Sequence, residues 1–119
     1  MANRPVLGQV TTANANKDGT TGAYATLVTG AASGTKVNQV DITALVTTTA
    51  GMIRFFVYDG TNYRMIKEIP VTAITVSASV AGFTYTWRPT NLILESGDTL
   101  KVSTEKTETF DLVGSVTDF

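Results

Sequence analysis

Glu95 and Asp98, three residues apart, are the carboxylates of this 119-residue chain best spaced for general acid–base work. Their setting, Glu95-Ser96-Gly97-Asp98, is ordinary turn sequence, and a turn accounts for both. The runs Asp18-Gly19-Thr20 and Asp59-Gly60-Thr61-Asn62 hold oxygen donors that suggest calcium loops. Neither supplies the alternating ligands and bidentate Glu that such a loop needs. Gly30 to Gly34 lacks the Lys-Ser/Thr and the following helix of a phosphate loop. The serines have no base to activate them, because the chain contains no histidine. It contains no cysteine either, which excludes disulfides, thiol catalysis and cysteine-ligated zinc. The expectation is a protein without catalytic residues, metal or cofactor, one that works by binding and assembly.

Composition points the same way. Charged residues make up 16% of the chain, against about 25% for an average domain. Thr contributes 22 residues and Gly 10. Thr is β-branched and suits a pleated surface, and its hydroxyl is cheaper to bury against a partner than an ion. The net charge is −1, with no basic stripe for nucleic acid. No apolar run reaches the roughly 18 residues of a membrane span. Met1-Ala2-Asn3-Arg4-Pro5 lacks the apolar stretch of a secretory signal, so synthesis in a cytoplasm is expected. Lys101, Glu105, Lys106, Glu108 and Asp111 form the densest charge cluster. They read as a solvated strand and turn, with a subunit contact through complementary charges as the alternative.

The elements that must carry these residues are strands. Alternation of period two and the turn signals between runs predict about eight short strands. They cover Gly8 to Thr12, Tyr24 to Thr29, Lys36 to Val46, Met52 to Tyr58, Tyr63 to Val71, Phe83 to Arg88, Thr99 to Thr104 and Thr109 to Val116. Asp59-Gly60 between two such runs is a hairpin signal, because its turn needs positive φ. Pro70 places its strand at a sheet edge or exit, and Pro89 ends another. No segment keeps a helical period. The fold class is therefore all-β: a β-sandwich, read as a jelly roll, over residues 23–119. Residues 1–22, rich in Asn and Gly, read as an N-terminal arm, extended toward a neighbour or loosely docked. Removing residues 2 to 18 is expected to leave the domain folded.

Within the hairpin, Ile53, Phe55 and Val57 point to one side. Met52, Phe56, Tyr58, Tyr63 and Met65 share the other, which is either a second buried face or an apolar patch of the kind that marks partners. Phe83, Tyr85 and Trp87 share a face read as core, with an exposed sugar-binding platform as the alternative.

The block Thr47-Thr48-Thr49-Ala50-Gly51-Met52-Ile53-Arg54-Phe55-Phe56-Val57-Tyr58-Asp59-Gly60-Thr61-Asn62-Tyr63-Arg64-Met65-Ile66-Lys67-Glu68-Ile69 resembles one found in small proteins encoded by tailed bacteriophages and prophages. The stretches from Leu100 to Phe110 and from Thr11 to Thr20 are similar to theirs too. The resemblance implies a virion structural protein, a decoration (cement) protein on the capsid surface. It would act as a homotrimer that clamps neighbouring major capsid subunits. Arg4 and Pro5 of the arm, with Met52, Phe56, Tyr58, Tyr63 and Met65 of the hairpin, are the expected assembly residues. A glycan- or receptor-binding module of a tail or head fibre is the alternative.

Overall fold

A computed structural model describes all residues from Met1 to Phe119 and contains no helix. Nine strands form two antiparallel sheets packed face to face as a β-sandwich. They are β1 (Ala2–Val10), β2 (Ala25–Thr29), β3 (Thr35–Ala44), β4 (Gly51–Tyr58), β5 (Tyr63–Val71), β6 (Thr84–Trp87), β7 (Leu92–Leu94), β8 (Thr99–Thr104) and β9 (Phe110–Asp118). The first sheet runs β1-β9-β3-β6, with β7 also on β3, and the second runs β2-β8-β4-β5. The pairs are nested: β1 with β9, β2 with β8, β3 with β6 and β7, β4 with β5.

Alternation along the strands builds the core. Val37, Val40, Ile42 and Ala44 of β3, with Phe110, Leu112 and Val116 of β9, face Ile53, Phe55, Ile69, Leu100 and Val102 of the second sheet. Phe55 packs on Trp87 with ring centroids 4.6 Å apart, and Phe83 meets Phe110 edge-on at 6.4 Å. The face carrying Phe83, Tyr85 and Trp87 is thus core, and the sugar-platform alternative for it falls away. Burial of each such side chain contributes about 1.5–3 kcal/mol, so no staple is needed.

The N-terminus departs from the sequence reading. Residues 2–10 are not an arm reaching out of the domain; they are the first strand of the domain's own sheet. β1 pairs with β9 without interruption, from Ala2↔Asp118 to Val10↔Phe110. Val10 lies in the core. The alternation was hidden because it breaks midway: Val6 and Val10 point inward, but so does Gly8, while Leu7 points outward. A Cβ on Gly8 would lie 2.9 Å from Leu27 Cδ1, and one on Gly114 2.5 Å from Val6 Cγ2. Close packing of β1 over β2 and β9 thus favours glycine where the pattern calls for an apolar residue.

Residues 11–24 are not loose either. Asn14 is buried, its N–H donates to Thr104 O at 2.7 Å, and its Nδ2 donates to Ala23 O at 3.0 Å. Thr104 Oγ1 donates to Thr12 O at 2.5 Å. The segment is a strap that pairs with the end of β8 at Thr104 and lies over the outward side of β4 and β5.

Candidate assembly surface

The hairpin of β4 and β5 is built by its turn. Asp59 Oδ1 accepts from the N–H groups of Thr61 and Asn62 at 2.9 and 2.7 Å, and Gly60 takes φ +97°. Those two donors hold the Asp59 carboxyl below its usual range. The ladder then sets Tyr58 opposite Tyr63, Phe56 opposite Met65, Arg54 opposite Glu68 and Met52 opposite Pro70. All five hairpin residues singled out in the sequence therefore share the outward side, away from the core.

The strap of residues 11–24 decides what that side is. Phe56 is fully buried, yet it lies outside the main core. Tyr24 packs edge-on against it at 5.1 Å, and Tyr63 at 6.4 Å. Gly19, at φ +76°, comes so close that a Cβ there would lie 2.2 Å from Tyr63 Cβ. Phe56 is thus taken out of the surface by its own chain. Tyr58 and Tyr63 stack at 4.3 Å, Tyr63 and Tyr24 lie 5.0 Å apart, and Lys101 Nζ sits 5.8 Å over the Tyr58 ring. Each of these half-buried rings thus gives part of its surface to a neighbouring side chain. Met65 remains exposed, beside Ile66.

Charge is buried under the same strap. Arg54 is only 4% exposed, with Nε donating to Glu68 Oε2 at 3.0 Å and Nη2 4.0 Å from Glu105 Oε1. Lys17 of the strap reaches Glu68 at 3.3 Å, and Lys106 reaches Glu105 at 3.8 Å. Arg54, then Lys17, hold Glu68 below its ordinary range. Arg54 Nη1 and Ser103 Oγ, on residues opposite each other in the ladder, are buried without hydrogen-bond partners. The strap and the ladder together bury Arg54.

The other turns are closed by their own side chains. Asp18 accepts from Thr20 N–H at 2.9 Å, Thr21 N–H at 3.0 Å and Thr21 Oγ1 at 2.8 Å, which pulls its pKa to about 2. Its oxygens close a turn instead of awaiting an ion. Asp98 Oδ2 accepts from Glu95 N–H at 3.0 Å, so this pair is a turn and its partner. Of the charge cluster, Glu105 and Lys106 pair with each other, while Glu108 accepts from Thr49 N–H and Oγ1, both at 2.8 Å. No group of three or more metal-ligating side chains forms. A cleft of about 290 Å³ lies between Ile66, Trp87, Pro89, Thr90, Asn91 and Leu92, without an ionisable group.

No family model matches the chain, and no curated protein matches it.

Arg4 and Pro5 lie on β1, at the edge of the first sheet, whereas the hairpin ends the second sheet. The structure does not bring the two sets together. The sequence missed the outward face of the first sheet. Pro5, Leu7 and Gln9 of β1, Val113 and Ser115 of β9, Thr43 of β3, and Thr84 and Thr86 of β6 are all exposed on it. Its carboxylates are already bonded: Asp111 to Gln9 Nε2 at 2.9 Å, and Asp41 to Thr86 Oγ1 at 2.8 Å and Gln39 Nε2 at 3.0 Å. Thr86, then Gln39, hold the Asp41 carboxyl below its ordinary range. The alternating Thr residues at 43, 84 and 86 are the signal that could have found this face.

Proposed function

We propose that the chain is a non-enzymatic structural protein of a tailed-phage virion, a capsid decoration (cement) protein that binds and stabilises the assembled major capsid lattice. It is made in the host cytoplasm and docks on the outside of the head, with the major capsid protein and copies of itself as partners. The outward face of β1, β9, β3 and β6 carries the reading. Its side chains are mostly hydroxyls, amides and apolar groups, and its carboxylates keep their own donors. Away from Lys36 and Arg88, the cations at its margins, such a face loses little hydration free energy when covered, because its carboxylates are already hydrogen-bonded. Copies on a lattice act together, so a contact of modest area at each site suffices. The nested strand pairing supports reading the sandwich as a jelly roll, an architecture common in viral capsid domains.

The test is co-sedimentation with heads of the phage that encodes the chain, produced without it, beside binding to immobilised host glycans. Saturable binding to heads and none to glycans is expected. Binding to glycans and not to heads would replace the proposal with a fibre-borne recognition module.

A further inference from the structure

The sandwich has four sheet edges, and three are blunted in the ways proteins use against edge pairing. β6 and β7 have only 4 and 3 residues. β2 has 5 residues and a register break between Thr26 and Val28. β5 carries Arg64, Lys67 and Pro70, with a register break opposite Phe55 and Phe56. β1 carries one of these defences, Pro5, and is otherwise open. It runs 9 residues in unbroken register, and its single charge, Arg4, is held by Asp118.

The ladder shows which groups β1 leaves free. Leu45 N–H donates to Thr109 O and Phe119 N–H to Gly34 O, so odd-numbered residues along β9 bond toward β3. Even-numbered residues of β9 therefore bond to β1, where the register pairs even with even. The odd residues Asn3, Pro5, Leu7 and Gln9 turn their backbone groups outward. Pro5, with no N–H, sits where an edge strand tolerates it. Leu7 is 76% exposed, and its neighbour across the ladder, Val113, is 46% exposed.

We infer that β1 pairs antiparallel with β1 of a second copy about a twofold axis at Leu7, joining the first sheets of two chains into one. In this register the strand pairs with itself except at Pro5, which has no N–H to give the Gln9 carbonyl opposite it. Leu7 N–H and C=O meet those of the second Leu7, and the Pro5 carbonyl meets the Gln9 N–H of the second copy. Arg4 lies across from Val10, so the two arginines stay apart at opposite ends and keep their Asp118 partners. On the outward face Val113, Leu7, Leu7 and Val113 of the two chains form one apolar stripe. The symmetry is isologous and closed, which gives a dimer where the resemblance implies a trimer.

Sedimentation of the pure protein, with no virus particle present, tests this separately from capsid binding. Wild type is expected as a dimer. Leu7→Lys and Leu7→Glu each place like charges at the axis and weaken the dimer by more than about 100-fold. Both keep the wild-type circular dichroism spectrum, because the side chain is in solvent. Mixing the two variants restores a dimer. Ile93→Lys, at an exposed apolar residue on β7, leaves the dimer intact. A monomeric or trimeric wild type, a dimer that survives Leu7→Lys, or one lost in Ile93→Lys would overturn the inference.

Discussion

Arg4 Nε donates to Asp118 Oδ2 at 2.7 Å, so the second residue from the C-terminus holds the strand that opens the chain. Arg4 Nη2 adds a longer contact at 3.3 Å, and Thr35 Oγ1 donates to Asp118 Oδ1 at 2.7 Å from the neighbouring strand. One carboxylate thus joins β1, β9 and β3. The Arg4 hydrogen bond, then that from Thr35, holds the Asp118 carboxyl below its ordinary 3.8.

This pair sets a pH dependence. A carboxyl depressed in the folded state contributes stability that is complete above its unfolded pKa and is lost as pH falls through the folded one. The start of β1 should therefore hold above about pH 4 and fray as pH drops below 3.8. Hydrogen exchange at the Arg4 and Val6 amides reads this directly. Asp118→Asn should raise their exchange at neutral pH and flatten the acid dependence; unchanged exchange in the variant would refute the role of the pair.

Deleting residues 2 to 18 should unfold or aggregate the protein. It strips a full strand from β9, opens the site of Val10 in the core, and uncovers Phe56 and the Arg54 ion pairs. Loss of a cooperative melting transition is the expected result. A truncated chain that melts like the full one would show that β1 and the strap are dispensable, as the sequence reading held.

Gly19 and Gly60 both have positive φ, and their substitutions should separate two effects. At Gly60 an added Cβ meets nothing within 4 Å, so Gly60→Ala carries only the backbone penalty of roughly 1–2 kcal/mol. At Gly19 the Cβ would lie 2.2 Å from Tyr63 Cβ, and the strap must lift. Gly19→Ala should cost about 1–3 kcal/mol more, from overpacking against a rigid ring. Chemical denaturation of the two variants checks the order, and equal losses would contradict the seating of the strap on Tyr63.

Arg54→Met should be close to neutral or stabilising, within about 1 kcal/mol. The buried guanidinium leaves Nη1 unpartnered, while Glu68 keeps Lys17 and Glu105 keeps Lys106. Replacing a buried ion by an apolar chain of similar length often costs nothing for this reason. A loss of more than about 3 kcal/mol would mean that Arg54 anchors the strap.

Much of the sandwich was legible in the sequence because half-buried strands write their faces in alternation. Tyr63–Val71 and Thr99–Thr104 were read to the residue, and Asp59-Gly60 marked the hairpin. β1 was read only at its end, as Gly8 to Thr12, because Gly8 occupies an inward position and Leu7 an outward one. β7, with 3 residues, is too short to show a period. The shared side of the hairpin was legible from parity alone, but its burial was not. That burial depends on Tyr24 and Gly19, more than 30 residues earlier in the chain, which the sequence gives no reason to place on Phe56. The outward face of the first sheet escaped notice because a count of 22 threonines suggests a surface cheap to bury but does not say which sheet carries it.

The central claim is that this sandwich decorates a capsid. Electron cryomicroscopy of heads carrying the protein, compared with heads assembled without it, tests it most directly. The account predicts added density of sandwich size on the outer head surface, at symmetric positions bridging neighbouring capsid subunits. Heads indistinguishable with and without the protein, or added density only on the tail, would contradict it.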